Sequence, residues 1–491
     1  MSDQARVLAF DLGASSGRAI AAEWSHGELA YREIHRFENT PVRRGNLLCW
    51  NFQKLLSEIR RGIKLAGPID SLAFDAWGVD FGLIGRDGTL LSDPVHYRDG
   101  RTSAVYRDAF GTMAAEKLYR LTGNQLMPIN TLFQLLAVKS GQPELLEKAE
   151  HLLFMPDLFA HALTGRTVCE RTIASTSQLF DLKSQDWSRE TISAFGLPSK
   201  LFLPTVKSGT VIGQTDLGSG HFAKVVAVAG HDTQCATAVI SDADDTAFLS
   251  CGTWSLLGTR LKEPVLTEKS MALELSNELA ADGGVDYLRN IVGLWLLQEC
   301  QRVWNEEGLS LSFADIAALA EQADSTGVYI DPDDPVFSAP GDMPGRILKY
   351  CAGTGQRLPA SVGETARVIY ESLAMKYRFT LEQLCELTGK QISTLHILGG
   401  GSNAELLCRL TADICGLQVI AGPGEATALG NILIQFKALG CIPELSDGRK
   451  LIAQTHTLRT FTPSPDRGRW EQEYRTFNRT IAKNTNKEEQ T

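Results

Sequence analysis

The sequence predicts an α/β protein of two domains, and length and an internal repeat carry this prediction. The chain has 491 residues, more than a single hydrophobic core usually supports. Residues 7–24 and 246–261 have the same plan, in which an apolar strand, a turn of small residues and a returning strand follow one another. A repeated hairpin indicates a duplicated domain. The short polar stretch at 241–245 marks the boundary, which predicts domains over 1–242 and 243–491.

Apolar runs, periodicity and turn residues predict the elements in order. In the first half we expect strands at 7–10, 18–24, 29–37, 71–77 and 79–84, and an amphipathic helix at 52–65. In the second half we expect strands at 246–250, 254–260, 394–398 and 418–421, and helices at 362–387, 403–415 and 426–439. Strands that alternate with helices are typical of an α/β fold.

Composition and charge exclude several classes of protein. The formal net charge is −10, and the basic residues are interleaved with acids, so we expect no nucleic-acid partner. The ten cysteines contain no C-x-x-C pair, which favours buried thiols over a metal site. No apolar run is long enough to cross a membrane, and the first apolar run has four residues, too few for a signal peptide. We therefore expect a cytoplasmic protein with no membrane partner, whose last twelve residues, 480–491, are disordered.

Both hairpin turns are candidate phosphate sites. The turn over 11–18 reads DLGASSGR, where Gly13 and Gly17 allow a tight backbone and Asp11 is placed to bind a hydrated cation. The second turn, over 252–255, reads GTWS and would present a similar loop from the second domain. Neither is a Walker A sequence, and each alone is also compatible with an ordinary β-turn.

Three further segments carry polar groups next to glycine. The LGGG run at 398–401 follows a strand and allows close approach of a flat ligand, or else forms a helix N-cap turn with Ser402 or Asn403. The segments 75–81 and 96–102 combine aromatic and polar residues, as in a sugar site or in a core strand with surface ion pairs. Residues 289–299 predict a helix with Asn290 and Gln298 on one face, which either bind ligands or flank a core helix.

Asp232 is the candidate catalytic base. It lies in AGHDTQ, directly after an apolar strand that ends at residue 229. A kinase that phosphorylates a hydroxyl group needs a carboxylate within hydrogen-bond reach of the proton. The same residue is equally well placed to cap a helix beginning at Thr233, so both interpretations stand on the local pattern.

In order along the chain, DLGASSGR, DAWGVDF, HYRDGRT, MPD, HDT, CGTWSLLG, IVGLWLLQ, HILGGG and NILIQ resemble the FGGY carbohydrate kinases. The resemblance spans about Val7 to Pro465 and is greatest to members that act on L-rhamnulose, through EIHRFEN at 33–39 and NIVGLWLLQ at 290–298. It implies two actin-like ATPase (ribonuclease H-like) domains with the active site in the cleft between them. It also implies phosphoryl transfer from MgATP to O1 of L-rhamnulose, in L-rhamnose catabolism.

The resemblance also implies a role for individual residues, with ATP and Mg²⁺ as cofactors. The ATP-binding residues would be Ala14, Ser15, Ser16, Gly17, Arg18, Thr253, Gln298 and Gly400. The sugar-binding residues would be Gly78, His231, Asp232, Thr233 and Asn290. Asp232 would be the general base, and Asp11 would lie near Mg²⁺. We expect a small-molecule ketose as the partner, and a monomer or small homo-oligomer.

The sequence departs from the family pattern at two places. A Cys-x-x-x-Cys pair found in similar enzymes is missing, because Thr411 stands four residues before Cys415, so no disulfide is expected. Gln234 and Cys235 follow His-Asp-Thr where smaller residues are usual, which bears on substrate choice. Two alternatives therefore stay open. One is a kinase for another ketose, such as L-fuculose, L-xylulose or a 5-deoxyketose; the other is an actin-like nucleotide-binding protein without sugar chemistry.

Overall fold

The computed structural model describes residues 4–218, 220–240, 243–465 and 467–488, with side chains up to residue 481. The chain forms two compact units. The first unit comprises Met1–Ser241, Arg260–Leu288 and Ala426–Thr455, and the second comprises Asp242–Thr259, Arg289–Glu425 and His456–Thr491. The division is thus less simple than the two sequential domains that the sequence predicts, because two segments of the second half cluster with the first unit.

Both halves of the chain contain strands and helices. The strands are β1 Gln4–Leu12, β2 Ser16–Ser25, β3 Glu28–Glu38, β4 Val42–Arg44, β5 Leu47–Cys49, β6 Ser71–Ala76, β7 Phe81–Gly85, β8 Ala149–Phe154, β9 Cys169–Glu170, β10 Phe180–Asp181, β11 Asp186–Trp187, β12 Thr205–Val206, β13 Thr210–Gly218, β14 His221–Ala227, β15 Thr246–Cys251, β16 Trp254–Leu261, β17 Ser276–Leu279, β18 Val285–Val292, β19 Thr394–Leu398, β20 Gln418–Ala421 and β21 Arg459–Phe461. The α-helices are α1 Phe52–Ala66, α2 Thr102–Thr112, α3 Ala115–Thr122, α4 Thr131–Gly141, α5 Pro143–Lys148, α6 Met155–Thr164, α7 Arg171–Ala174, α8 Arg189–Ala194, α9 Asp232–Thr237, α10 Glu268–Ala272, α11 Trp295–Glu306, α12 Phe313–Gln322, α13 Met343–Gly353, α14 Val362–Thr388, α15 Glu405–Cys415, α16 Ala426–Leu439, α17 Leu445–Thr455 and α18 Gly468–Glu488. Short 3₁₀ turns occupy Ser199–Leu201, Pro335–Phe337 and Gly400–Asn403.

The first unit is built on a six-stranded sheet with the order β13-β14-β6-β1-β2-β3. Strand β1 pairs antiparallel with β2 and parallel with β6, which in turn is parallel to β14. Residues 7–10 and 71–76 are buried throughout, as expected for central strands covered on both faces. Asp11 lies in register with Asp75, so the carboxyl ends of β1 and β6 bring two carboxylates to one edge of the sheet.

Helices α1 and α16 pack against this sheet. Gly62 of α1 lies so close to Phe10 that an added Cβ would be 2.8 Å from the ring. On α16, Gln435 donates to the Leu8 carbonyl at 3.2 Å and accepts from the Ser71 hydroxyl at 2.7 Å. These bonds satisfy a polar helix face that is fully buried, so residues 426–439 complete the core of the first unit.

The main sheet of the second half has the order β17-β18-β16-β15-β19-β20-β21. Strand β15 pairs antiparallel with β16 and parallel with β19, and β19 is parallel to β20. This repeats the β2-β1-β6-β14 arrangement of the first unit. The predicted duplication, which rested on two short hairpins, is therefore confirmed by strand order and direction.

A long helix, α14, supports the second unit. Its N-terminus is capped by the Ser361 hydroxyl, which accepts from the Glu364 N–H at 3.1 Å, and Gly389 ends it in the left-handed region with φ 70°. The buried Lys376 of this helix binds Asp331 at 2.8 Å and Asp333 at 3.0 Å. These contacts fix the segment around residue 331 onto the helix.

Two segments differ from their predicted secondary structure. The helix predicted over 289–299 is wrong, because β18 continues to Val292 and α11 begins only at Trp295. The strand and the helix are separated at Gly293. Its backbone passes so close to that of Trp254 that an added Cβ would lie 2.7 Å from the Trp254 carbonyl carbon, and only glycine fits there. At the C-terminus, where disorder is predicted, α18 extends to Glu488, and only 489–491 lie outside the described residues.

The buried Trp470, Tyr474 and Phe477 recur at helical spacing in α18 and account for its formation. The ten cysteines are all free, as predicted, and eight of them are buried. Across the described ranges, no helix is long and apolar enough to cross a membrane.

Candidate active site

The β1–β2 turn brings Asp11 and Arg18 together. These two residues are cross-strand neighbours and form a partly buried ion pair. The Gly13 N–H donates to the Ser16 carbonyl at 2.9 Å and closes the turn. The Asn39 N–H donates to the Ser15 carbonyl at 3.0 Å. The exposed tip therefore sits on a fixed backbone, which is the form a phosphate-binding turn requires.

Gly17 has a steric reason to be glycine. An added Cβ there would lie 2.3 Å from the Phe37 ring. Ala14 and Ser16 are half-buried, and Ser15 is exposed. The turn thus presents Ala14 to Ser16 at the surface of the first unit, while Gly17 packs inward.

Asp232 is the first residue of α9, just beyond the end of β14. The Gly230 carbonyl accepts from the Ala76 N–H at 2.9 Å, and the Gly230 N–H donates to the buried Glu170 carboxylate at 3.0 Å. These two bonds fix the turn that carries Asp232. Glu170 is a supporting residue that the sequence did not point to, since it lies 60 residues away in the chain.

The Asp232 carboxylate is held but not enclosed. It accepts from the Thr233 N–H at 2.6 Å and from the Thr233 hydroxyl at 3.2 Å, and 30% of the side chain is exposed. The alternative that Asp232 caps the helix is wrong, because His231 occupies the N-cap position. The Asp232 carboxylate nevertheless accepts from the N–H of Thr233 in the first turn. Burial and the charge of Asp11 raise the pKa of Asp232, while His231 and Thr233 act in the opposite direction.

His231 lies between two carboxylates. Its Nδ1 is 2.9 Å from Glu278 Oε2, and its Nε2 is 3.5 Å from Asp232 Oδ1. Gln234 Nε2 donates to the same Glu278 oxygen at 3.1 Å. Glu278, on β17, was not predicted from the sequence, which offers no local signal for a partner 47 residues from His231.

Gly78 lies beside His231. An added Cβ at Gly78 would be 3.4 Å from His231 Nε2 and 3.3 Å from the Thr176 hydroxyl, so the backbone of this segment faces both side chains. The structure therefore brings four predicted sugar-binding residues together in the first unit, Gly78, His231, Asp232 and Thr233. The fifth, Asn290, lies on β18 in the second unit, and not on a helix with Gln298 as predicted.

Asp75 forms a second acidic position near Asp11 and Asp232. It is fully buried; its Oδ2 accepts from Asn431 at 2.7 Å, while its Oδ1 has no partner among the described residues. Burial and the charges of Asp11 and Asp232 raise its pKa well above the usual range, although the Asn431 hydrogen bond opposes the shift. The charges of Asp11 and Asp232 thus both act on the Asp75 carboxylate.

In the Trp77–Asp80 segment, the two end residues are buried and Gly78 and Val79 are half-buried. The fully buried Asp80 accepts from Trp50 Nε1 at 2.6 Å, Trp77 Nε1 at 3.0 Å, the Tyr97 N–H at 3.1 Å and Gln134 Nε2 at 2.8 Å. Its carboxylate is therefore committed to the protein. Asp80 supports the loop that carries Gly78 and does not itself offer a group to a sugar.

In the second unit, Thr253 and Gln298 are in contact. The Thr253 hydroxyl donates to Gln298 Oε1 at 3.2 Å, and the Thr253 carbonyl accepts from the Gly293 N–H at 3.1 Å. The β15–β16 turn is thereby joined to the start of α11. The residues predicted to bind ATP at this turn do lie together.

The glycine run packs against the same turn. An added Cβ at Gly401 would lie 2.2 Å from Cys251 Sγ, whereas Gly400 is exposed with open space around it. The helix that follows begins after Ala404, so neither Ser402 nor Asn403 caps it. Gly400 is thus presented at the surface close to Cys251 and hence to Thr253.

A cavity of about 340 Å³ lies elsewhere in the first unit. It is lined by residues such as Arg44, Cys49, Phe81 and Arg101. Phe81 and Arg101 belong to the two candidate sugar-site segments, but none of the residues that the resemblance assigns to ATP or sugar lines the cavity. Its position therefore does not identify the active site. Among the described residues, no three His, Cys, Asp or Glu side chains are arranged to hold a metal ion.

Comparisons with known proteins agree over most of the chain. The model of the FGGY family of carbohydrate kinases, N-terminal domain, matches residues 6–239, and that of its C-terminal domain matches residues 247–439. A rhamnulokinase of Bacteroides thetaiotaomicron is 39% identical over 477 residues, covering 95% of this chain and 97% of that protein. A rhamnulokinase of Oceanobacillus iheyensis is 37% identical over 465 residues, covering 92% and 97%.

Solved structures share the fold at lower identity. A xylulose kinase from Lactobacillus acidophilus superposes with a TM-score of 0.78 at 16% identity, covering 97% of both chains. A glycerol kinase from Plasmodium falciparum with ADP superposes with a TM-score of 0.76 at 15% identity, covering 97% of this chain and 98% of that one. The predicted fold class is confirmed.

Proposed function

Because this chain belongs to the FGGY family of carbohydrate kinases, we propose that it transfers the γ-phosphoryl group of ATP to O1 of L-rhamnulose, with Asp232 as general base. The family assignment makes it a phosphotransferase, so the alternative of a nucleotide-binding protein without sugar chemistry is wrong. The observation that carries the proposal is the partly exposed Asp232 carboxylate, oriented by Thr233 next to His231.

Asp232 would take the proton from the O1 hydroxyl as that oxygen attacks the γ-phosphorus. The bond from phosphorus to the β–γ bridging oxygen breaks, and ADP leaves. The products are L-rhamnulose 1-phosphate and a protonated Asp232, which then releases its proton to water. The two Thr233 hydrogen bonds leave the second carboxylate oxygen for the sugar hydroxyl. A base whose pKa is raised by burial accepts a proton more readily than an ordinary aspartate.

The sugar would be held by the residues around Asp232. Gly78 allows the sugar to approach the backbone, and His231 and Thr233 supply hydrogen-bonding groups. The family resemblance adds Asn290 to the sugar-binding residues. A sugar site needs a few such groups in fixed positions. The tight supports of this region, the Glu170 and Asp80 hydrogen bonds, provide that fixity.

The phosphates and the nucleotide would be bound by the two turns and the glycine run. In the first unit these residues are Ala14, Ser15, Ser16, Gly17 and Arg18, and in the second they are Thr253, Gln298 and Gly400. Mg²⁺ usually keeps several waters and one or two carboxylates besides the phosphates, which fits the single Asp11 carboxylate at this turn. When bound, Mg²⁺ would neutralise phosphate charge.

The choice of L-rhamnulose rests on relatives named rhamnulokinase that are 37–40% identical over nearly the whole chain. Initial rates with MgATP on a panel of L-rhamnulose, L-fuculose, L-xylulose and a 5-deoxyketose test it. We expect the highest kcat/KM for L-rhamnulose. A higher value for another ketose on the panel would reassign the substrate and leave the kinase assignment intact.

Asp232→Asn tests the base. We expect kcat to fall about 10²–10⁴-fold, the usual contribution of a positioned base, with sugar binding retained in calorimetry. Asp108→Asn, on the exposed surface of α2, is the matched control and should behave as wild type. If Asp232→Asn keeps near wild-type turnover, Asp232 is not the base.

A cytoplasmic monomer or small homo-oligomer that contacts neither membrane nor nucleic acid remains our prediction.

A further inference from the structure

The imidazole of His231 is held in one orientation by a carboxylate that no sequence motif marks. Glu278 is 4% exposed and sits on β17, directly opposite Asp286 of β18. Its Oε2 is 2.9 Å from His231 Nδ1, while the other ring nitrogen faces Asp232 at 3.5 Å. The order Glu278–His231–Asp232 thus runs from the interior of the first unit to the proposed base.

The proton positions follow from the partners. An ionised carboxylate only accepts hydrogen bonds, so His231 Nδ1 carries a hydrogen that it donates to Glu278. Gln234 Nε2 donates to the same oxygen at 3.1 Å and keeps it in place. Nε2 is therefore the nitrogen that faces Asp232 and the Gly78 backbone.

The charges around the ring favour the imidazolium form. Burial lowers the pKa of His231, but the charge and hydrogen bond of Glu278, together with the charges of Asp232 and Asp286, raise it to about 9. At neutral pH both ring nitrogens then carry hydrogen. The resulting positive charge lowers the pKa of Asp232 and so opposes the effect of burial on that carboxylate.

We propose, building on the kinase function above, that Glu278 is a positioning residue for the phosphoryl transfer: through Nδ1 it keeps His231 protonated and its Nε2–H directed at Asp232 and the sugar oxygens beside Gly78. The hydrogen bond from Nε2 stabilises negative charge on the attacking oxygen, and the imidazolium keeps Asp232 ionised. A purely structural Glu278, which only ties β17 to α9 through Gln234, would influence neither of these properties.

The first test needs no substrate. The ¹³C-labelled histidine side chains are titrated by NMR in the wild type and in Glu278→Gln, with His231→Asn to assign the resonance. We expect the pKa of His231 to fall from about 9 towards its ordinary 6.5 in Glu278→Gln. Glu263→Gln removes the same charge at an exposed position and should leave it unchanged. An unaltered pKa in a folded Glu278→Gln protein overturns the proposal.

The second test is the pH dependence of kcat/KM. In Glu278→Gln the acid limb, which Asp232 sets, should stay in place, because His231 still carries its positive charge at that lower pH. The alkaline limb should move to lower pH, because His231 deprotonates earlier. At pH 7.5 we expect kcat to fall about tenfold or more, within what a positioned base contributes, and KM for the sugar to change less. Parallel losses at every pH, with unmoved limbs, would mean a structural role.

Glu278→Asp separates charge from geometry. It keeps the carboxylate but withdraws it by about 1.5 Å, one C–C bond, so the pKa of His231 should stay raised while kcat falls. This variant also serves if Glu278→Gln does not fold, with thermal unfolding as the check. If the enzyme phosphorylates no ketose, the NMR titration still decides the role of Glu278 towards His231, so the two proposals fail separately.

Discussion

Gly430→Ala should disable the enzyme through the backbone of α9. Gly430 faces Cys235, and an added Cβ would lie 1.8 Å from the Cys235 carbonyl oxygen, 2.6 Å from its carbon and 3.1 Å from its Cα. The obstacle is main chain rather than the end of a flexible side chain. Helices α16 and α9 must therefore move apart, or one of them must distort.

The size of the effect follows from these distances. A carbon–oxygen contact needs about 3.3 Å, so the two helices would have to separate by about 1.5 Å at this point. Overpacking of this kind typically costs about 1–3 kcal/mol, and a rigid backbone obstacle places the cost at the upper end. Asp232 lies three residues before Cys235 on α9, and a misplacement of about 1 Å in a reacting group can cost about 10²-fold in rate.

Urea unfolding and initial rates with MgATP and sugar measure the two effects. We expect both a lower unfolding free energy and a kcat reduced about 10²-fold. Gly111→Ala is the control, since nothing lies within 4 Å of its Cβ position on α2, and it should be neutral or slightly stabilising. Wild-type stability in Gly430→Ala would refute the packing argument; lost stability with unchanged kcat would show that the displacement does not reach Asp232.

Two further predictions concern stability. Burial and the charge of Arg98 lower the pKa of His96 to about 3 from 6.5, and its Nδ1 accepts from the Arg98 N–H at 2.9 Å. The unfolded chain therefore binds this proton below about pH 6.5 while the folded chain does not, so stability should fall as pH falls. His96→Asn should reduce the slope of the unfolding free energy against pH by roughly 1 kcal/mol per pH unit, measured by urea unfolding at pH 6 and pH 5. An unchanged slope would contradict this prediction. Lys376→Met leaves Asp331 without its buried cation and Asp333 with Arg289 alone, so it should lower the unfolding free energy by about 3–5 kcal/mol. A loss under about 1 kcal/mol would show that the ion pairs of Lys376 are not needed.

Much of the secondary structure was predictable because it depends on local patterns. The strands Thr394–Leu398 and Gln418–Ala421 and the helix Ala426–Leu439 have the predicted bounds, since each is an apolar run with clear turn residues at its ends. The prediction of a helix after residue 289 failed because the apolar residues of that segment suit a strand or a helix equally. Only the close approach of Gly293 to Trp254 separates the two, and that contact is not visible locally.

The proposed site was less predictable, since its supports lie far apart in the chain. Asp232 and His231 stand out in the sequence, but Glu278 and Glu170 become visible only when the fold brings them near. The departure at Cys235 has a similar explanation. Its thiol packs on the Ala229 carbonyl at 3.1 Å, and Gly430, almost two hundred residues later, makes room for its main chain.

The composition of the first unit from three stretches has a consequence for biosynthesis. Its last stretch is Ala426–Thr455, which supplies Asn431 to Asp75 and Gln435 to Leu8. When residues 1–241 have left the ribosome, the core of the first unit still lacks helix α16. The Asp75 carboxylate and the Leu8 carbonyl then lack the hydrogen bonds that this helix supplies. The first unit closes only after most of the second has been synthesised. An expression fragment that ends near residue 241 should therefore be insoluble.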